Sequence, residues 1–393
     1  MFSNHIQKPL QKLVKMKTTM SYLLLLFLPL LVNAKLKRTT LYIPLVHNGV
    51  NVFDTKVISP PVVSPPNTQG KAVMAEIYFG SPPVKQVLHL DTGSSLTWVQ
   101  CFPCSRCFDQ NRLPKYWPKK SKTYREPMCE SEDGKCRYEL IYLDKCVVKG
   151  IHAQELVTVD TLDGGYERLY GVRFGCTEHS EGTSFIGTGI LGLGAGMSSI
   201  IGEFDYKFSF CLGRISDKRS NHNLIFGDGA NIQGHPTVIN ITNDHYYFSL
   251  ESIIVERKIR LDHPVQVLVD TGSTMSYVSP GLYYNFVDEF EEIIGRPSSY
   301  RPNLCYKAED IEQLYTFDVG FEFAGGAQLS VNVHNIFLPT GPPGDLCLAI
   351  INNENSFSDI IIGVTAMQGH NLGYHLRRKT VYLQKQNCNK SKL

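Results

Sequence analysis

Net charge, long apolar runs and helical periodicity are all scarce in this chain. Across 393 residues the formal charge at pH 7 is only +2, and the basic excess sits in the first forty residues. That leaves no electrostatic footprint for a nucleic acid. No heptads or sustained 3.6-residue pattern appear, so a coiled coil or helical bundle is excluded. The most apolar stretch, Tyr22 to Val32, is about half the ~20 residues needed to cross a bilayer. A stable membrane anchor is therefore not expected. Cys101-Phe-Pro-Cys104-Ser-Arg-Cys107 has the spacing that opens iron–sulfur and zinc sites, but no suitably placed fourth ligand lies nearby. Gly187-Thr-Gly189-Ile-Leu-Gly192 satisfies GxGxxG, yet the helix and acidic residue that a dinucleotide site needs do not follow. It reads as a tight strand crossing. No metal and no cofactor is expected.

What the chain does contain is 32 glycines and many short Val/Ile/Phe/Tyr/Thr runs bounded by Gly, Pro, Asn or Asp. These are strand and turn signals, and they predict an all-β protein. The length suits two lobes, read here as residues 69–234 and 235–393. Lys8, Lys12, Lys15 and Lys17 precede the apolar core, and Val32-Asn33-Ala34 follows it. Residues 1–34 thus read as a secretory signal cleaved after Ala34. Residues 35–68 begin basic and turn Val- and Pro-rich, as in an extended connector or short propeptide. Secretion agrees with eleven cysteines, which in an oxidising compartment form disulfides with one left over. Asn240-Ile-Thr242 and Asn389-Lys-Ser391 are acceptors for N-glycosylation.

One tetrapeptide occurs twice, as Asp91-Thr92-Gly93-Ser94 and Asp270-Thr271-Gly272-Ser273. Each copy follows a short apolar run that reads as a buried strand, and each has a glycine for a tight turn between hydroxyl residues. One carboxylate at a turn in each half implies that the halves face each other and the aspartates meet. Two such close charges cannot both ionise, so they share a proton. One then serves as general base on a water and the other as acid toward a carbonyl. Hydroxyls on Thr92, Ser94, Thr271 and Ser273 suit the task of orienting them without adding charge.

Further pieces stand around these loops: Glu76-Ile-Tyr-Phe-Gly80-Ser-Pro-Pro, Asp91-Thr-Gly-Ser-Ser-Leu-Thr-Trp98-Val-Gln-Cys101, Phe208-Ser-Phe-Cys211 and Ile360-Ile-Ile-Gly363. In these pieces and their order the chain resembles the pepsin-like aspartic proteases, in particular the secreted, nepenthesin-like branch of plants. The resemblance runs from about Val73 to Cys388. It implies the bilobal pepsin-like fold with an active-site cleft between lobes, a monomer, and a protein or peptide substrate. Asp91 and Asp270 would be the catalytic pair. Thr92 and Thr271 would brace the loops, Ser94 and Ser273 would hold the outer carboxylate oxygens, and Ile190-Leu191-Gly192 and Ile361-Ile362-Gly363 would cross beneath them. Tyr142 falls at the flap tyrosine and Trp98 at its indole partner. The family also suggests the disulfides Cys101–Cys104, Cys107–Cys176, Cys129–Cys136, Cys211–Cys388 and Cys305–Cys347, leaving Cys146 over.

The flap departs from the family pattern. Tyr142-Leu143-Asp144-Lys145-Cys146 stands where a glycine-rich Tyr-Gly-Asp-Gly-Ser turn is usual, so the turn must be strained or rebuilt. Lys145 is expected to bring a cation toward the dyad and favour its ionised form. The reading is a secreted aspartic endopeptidase with an acidic optimum, destined for the apoplast or the vacuole. The alternative is a catalytically weak, protease-like binding or inhibitor protein. An actin-like ATPase, which also pairs Asp-x-Gly loops, lacks support from adenosine-site signals.

Overall fold

The computed structural model describes residues 41–47 and 72–388, apart from 111–112, 162–164, 183–186, 216–221, 257, 301–302, 315 and 354–359. The expected signal segment 1–34, most of the connector 35–68 and the acceptor Asn389 lie outside the described residues. Among the described residues no helix is long and apolar enough to cross a membrane.

Strands dominate, as the short β-branched and aromatic runs predict. In the first half they are β1 (Leu41–His47), β2 (Val73–Phe79), β3 (Val84–Asp91), β4 (Trp98–Gln100), β5 (Arg137–Ile141), β6 (Val147–Asp160), β7 (Tyr166–Glu181), β8 (Gly189–Gly192), β9 (Lys207–Leu212) and β10 (His222–Phe226). The second half opens with β11 (His235–Thr242), β12 (His245–Ile254), β13 (Lys258–Asp270) and β14 (Ser276–Val278). Helix α1 (Pro280–Ile294) follows, with Pro280 in its first turn and Gly295 closing it in the left-handed region at φ 73°. Its buried face, Leu282, Phe286 and Phe290, repeats every four residues and packs into the core.

β2 to β8 pair among themselves, as do β12 to β14 with the later strands Asp318–Phe323, Ala327–Asn332, Ile350–Asn352 and Ile360–Gly363. A sheet drawn from both halves joins them, in the order β1, β10, β9, His370–His375, Thr380–Lys385, β11. Phe208 of β9 and Tyr374 stack at 4.4 Å across that seam, and Tyr374 also meets Tyr246 at 5.2 Å. Apolar burial therefore runs continuously between the halves and holds the two catalytic loops in fixed relation.

β1 lies within the segment read as a connector, yet its backbone is a paired strand. Leu41 to Pro44 pair with β10, and Leu45 to His47 pair with β2. Pro44, which has no N–H to donate, stands where the strand changes partners. The Val- and Pro-rich reading overlooked the apolar run Leu41-Tyr-Ile-Pro-Leu-Val46 ahead of it.

Five disulfides staple the fold, and two pairings differ from the expected set. Cys101 joins Cys176, with Cα atoms 5.4 Å apart, and Cys104 joins Cys107, at 6.0 Å. Strand register decides the first pair. β4 runs parallel beside β7 with Val99 opposite Cys176, so the chain leaves β4 next to that cysteine. Cys101 N–H then donates to Thr177 O at 2.8 Å, and Cys104 is left to close a short local loop. The remaining three pairs are as expected, and buried Cys146 takes part in none of the five.

Candidate active site

β3 carries Asp91 and β13 carries Asp270, each as the last residue of a strand. Beneath each, a second strand runs parallel in matching register. Asp91 lies opposite Gly192 of β8, and Asp270 lies opposite Gly363 of Ile360–Gly363. Gly187-Thr-Gly189-Ile-Leu-Gly192 is thus the strand crossing that was expected. A Cβ on Gly189 would sit 1.9 Å from the Trp98 carbonyl oxygen, so no side chain fits there.

The two loops grip each other through their threonines. Thr92 N–H donates to Thr271 Oγ1 at 3.0 Å, and Thr271 N–H donates to Thr92 Oγ1 at 3.0 Å. Each hydroxyl then donates onward across the seam, Thr92 to Val269 O at 2.8 Å and Thr271 to Leu90 O at 2.9 Å. Both threonines are buried, so these bonds have no water to compete with and each lost partner would be left unsatisfied. The next residue must be glycine. A Cβ on Gly93 would lie 2.6 Å from Asp270 Oδ1, and one on Gly272 would lie 2.5 Å from Asp91 Oδ1.

That closeness brings the carboxylates together. Gly93 N–H donates to Asp91 Oδ1 and Gly272 N–H to Asp270 Oδ1, each at 2.8 Å. Ser94 Oγ donates to Asp91 Oδ2, and Ser273 Oγ donates to Asp270 Oδ2 at 2.6 Å. The two aspartates are hydrogen-bonded to each other. Burial raises both acids above the ordinary carboxylate range. Asp91 is pulled back by its hydrogen bonds from Ser94, Asp270 and the loop backbone. Asp270 is pushed up further by the Asp91 charge, to about 7. One proton shared between two such acids is the arrangement that favours opposite roles for the pair.

Over the dyad hangs the turn between β5 and β6. Trp98 Nε1 donates to the Tyr142 hydroxyl at 2.7 Å, and that hydroxyl is also hydrogen-bonded with Ser94. Burial and the nearby Asp91 charge push the phenol of Tyr142 upward, so it stays neutral. The turn has been rebuilt without glycine. Lys145 N–H donates to Tyr142 O at 2.9 Å, and the Asp144 carboxylate accepts from Cys146 N–H at 2.9 Å. Lys145 itself takes the left-handed conformation at φ 67°. The expectation that its cation would favour an ionised dyad is not met. Lys145 is exposed and does not line the cavity, while burial and mutual charge govern the dyad.

A cavity of about 770 Å³ extends from the dyad between the flap and the second half. Asp270, Gly93, Ser94 and Tyr142 line it, together with Ser95, Asp244, His245 and Tyr247, which the sequence reading missed. The turn at Asn243-Asp244 between two alternating runs was the available signal. His89, two residues before Asp91, was also missed. It hydrogen-bonds to the Thr271 backbone, and burial pushes its imidazole below the ordinary range. Asn240 is exposed on β11. Among the described residues no cluster of side chains is arranged to hold a metal ion.

Two carboxylates gripped by paired Asp-Thr-Gly-Ser loops, at the join of two β halves, define the site of a pepsin-like aspartic protease. Comparison with known proteins agrees. The chain is 60% identical over 387 residues to the Aspartyl protease UND of Arabidopsis thaliana, covering 95% of this chain and all of that one. It is 26% identical to Aspartic proteinase nepenthesin-1 of Nepenthes gracilis, over 72% of this chain and 71% of that one. Residues 74–228 match the family model Xylanase inhibitor N-terminal, and residues 245–385 match Xylanase inhibitor C-terminal. Among solved structures, Basic 7S globulin from soybean shares the fold with a TM-score of 0.68 at 16% identity, over 89% of this chain and 97% of that one. The chain belongs to the pepsin-like aspartic protease family of plants, and as a member it is an aspartic endopeptidase.

Proposed function

We propose that this protein is a secreted endopeptidase that hydrolyses peptide bonds with a water activated between Asp91 and Asp270. The observation that carries the reading is the pair of threonine-locked Asp-Thr-Gly-Ser loops that bring the Asp91 and Asp270 carboxylates together at the head of the cavity. An extended peptide lies in the cavity beneath Tyr142, its backbone hydrogen-bonded as an added strand. Ionised Asp91 takes a proton from the water, whose oxygen bonds to the scissile carbonyl carbon while Asp270 gives its proton to the carbonyl oxygen. The neutral gem-diol then collapses. Asp91 returns its proton to the leaving nitrogen as the C–N bond breaks, and a gem-diol hydroxyl restores the proton of Asp270. Thr92, Thr271, Ser94 and Ser273 fix the two carboxylates, and Trp98 holds Tyr142 over them.

The sign of the pH dependence follows. Activity falls as pH rises through about 7, where Asp270 loses its proton, and falls on the acid side as Asp91, itself raised by burial, gains one. Five disulfides suit an oxidising route, in keeping with a signal at 1–34 and an apoplastic or vacuolar destination. The protein is taken to work as a monomer. A second reading, a binding protein on the same scaffold, draws on the xylanase-inhibitor description of both matched models and on the glycine-free flap. Cleavage of a denatured protein by the processed chain, from acid to neutral pH and with pepstatin, separates the two. Acid-dependent, pepstatin-blocked cleavage that drops about 10³-fold or more in Asp270→Asn supports the protease. Folded, processed protein that cleaves nothing at any pH supports the binder.

A further inference from the structure

The wall of the cavity opposite the flap is built by the tight turn between β11 and β12. Asn243 and Asp244 both have left-handed backbones, at φ 49° and 68°, and Thr242 pairs with His245 across them. This is the two-residue hairpin turn that Asn and Asp tolerate best. The turn is anchored to the other half of the molecule, because Ala195 N–H donates to Asp244 O at 2.8 Å. The carboxylate of Asp244 then lies against the backbone beside the first catalytic loop. A Cβ on Gly196 would sit 2.1 Å from Asp244 Oδ2 and 2.7 Å from Ser95 Oγ. Ser95 Oγ in turn accepts from Gly196 N–H at 2.9 Å. Gly196 therefore leaves the room that Asp244 occupies, one residue along from Ser94.

The charges around this point are one-sided. Among the described residues no lysine or arginine lines the cavity. Glu139, on the flap side, is matched by Lys149 at 2.9 Å. Asp244 has no such match, since among the described residues no ion pair involves it. Two histidines line the same space. His152 lies against the Tyr138 ring at 5.1 Å and is held neutral by burial, and His245 adjoins Asp244. Among the described lining residues, apart from the dyad, Asp244 is thus the uncompensated charge facing a bound peptide.

We propose that Asp244 is a specificity-determining residue that selects peptides carrying a lysine or arginine at one fixed position near the scissile bond. The proposal rests on the reading of the cavity as a peptide cleft and names the class of substrate it prefers. Asp244 is exposed where it lines the cavity, so the attraction that its carboxylate adds for an ammonium or guanidinium is modest and is screened by salt.

The test is a binding measurement, so that it does not depend on turnover. Statine-centred, uncleavable peptides are made with lysine or norleucine at each position in turn. Their affinities are measured near pH 7, where free imidazoles are mostly neutral. One position is expected to favour lysine by about fivefold, to lose that preference in Asp244→Asn and in high salt, and to favour glutamate in Asp244→Lys. A merely structural role for Asp244 would not produce the inversion. The proposal is overturned if no position favours lysine, or if the preference survives Asp244→Asn. Asp244-dependent binding without cleavage of any matching peptide would remove the protease reading and leave this one standing. Cleavage without the lysine preference would do the reverse, and peptides that bind nowhere would remove both.

Discussion

In the first catalytic loop the glycine N–H reaches its aspartate at 2.8 Å, and in the second the corresponding distance is again 2.8 Å. The threonines exchange bonds of 3.0 Å in both directions. The supporting strands repeat too. Thr97 Oγ1 accepts from Gly192 N–H at 3.2 Å in one half, and Ser276 Oγ accepts from Gly363 N–H at 3.1 Å in the other. What lies above the loops is not repeated. The first half supplies the flap, with Trp98 and Tyr142, and the second supplies Asp244, Tyr247 and the wall of the cleft. The carboxylates themselves also differ, since the Asp91 charge pushes Asp270 further up while hydrogen bonds pull Asp91 back. Symmetry holds the dyad in place, while the asymmetry lies in what surrounds it and in the charges that act on each carboxylate.

If the grip is symmetric in energy as well as geometry, removing either threonine hydroxyl should cost the same. Thr92→Val and Thr271→Val each delete a donor and an acceptor and leave two buried backbone groups unsatisfied. Each is expected to destabilise by about 3 kcal/mol, and the double variant by less than the sum because the two share partners. Urea titrations of the three variants check this. A large difference between the single variants would show that one loop is held mainly by its own half.

The charge difference between the loops predicts a smaller, pH-dependent effect. Asp270 has a folded-state pKa raised above its unfolded value. It therefore favours the folded state fully in acid, below the unfolded pKa, and loses that contribution as pH rises toward about 7. Asp270→Asn keeps an oxygen for the Gly272 N–H but carries no charge to bury. Its melting temperature should match the parent near pH 4 and exceed it near pH 7, by the equivalent of about 2 kcal/mol. A gap that stays constant across this range would mean that the carboxyl is not strained by burial and by Asp91.

The repeated half of this comparison was legible in the sequence because it is local. Asp91-Thr-Gly-Ser and Asp270-Thr-Gly-Ser name their own turn, and the apolar runs before them name the strands. The unrepeated half depends on contacts between distant segments. The turn at Asn243-Asp244 is itself legible, but Asp244 becomes a wall of the cleft only because the hairpin it closes is brought beside Gly196 of the other half. Cys101 and Cys176 are joined through the register of β4 on β7, whereas spacing alone left several partners open. β1 was hidden for a different reason. Its pairing is an exchange of backbone bonds with β10 and β2, and the neighbouring prolines masked its short apolar run.

The smallest effect belongs to the flap, which has no counterpart in the second half. Lys145 takes a left-handed backbone at φ 67°, where a side chain costs about 1 kcal/mol that glycine does not incur. Gly at this position also loses more freedom on folding, which offsets part of the gain. Lys145→Gly should therefore stabilise the folded state by about 0.5–1 kcal/mol, and Lys145→Val should destabilise it by more than that. The lysine is exposed and outside the cavity lining, so neither change should move the upper limb of the pH–activity profile. A shift in that limb with Lys145→Gly would mean that the cation reaches the dyad as the flap moves. The profile together with the melting temperature thus tells a backbone effect from an electrostatic one.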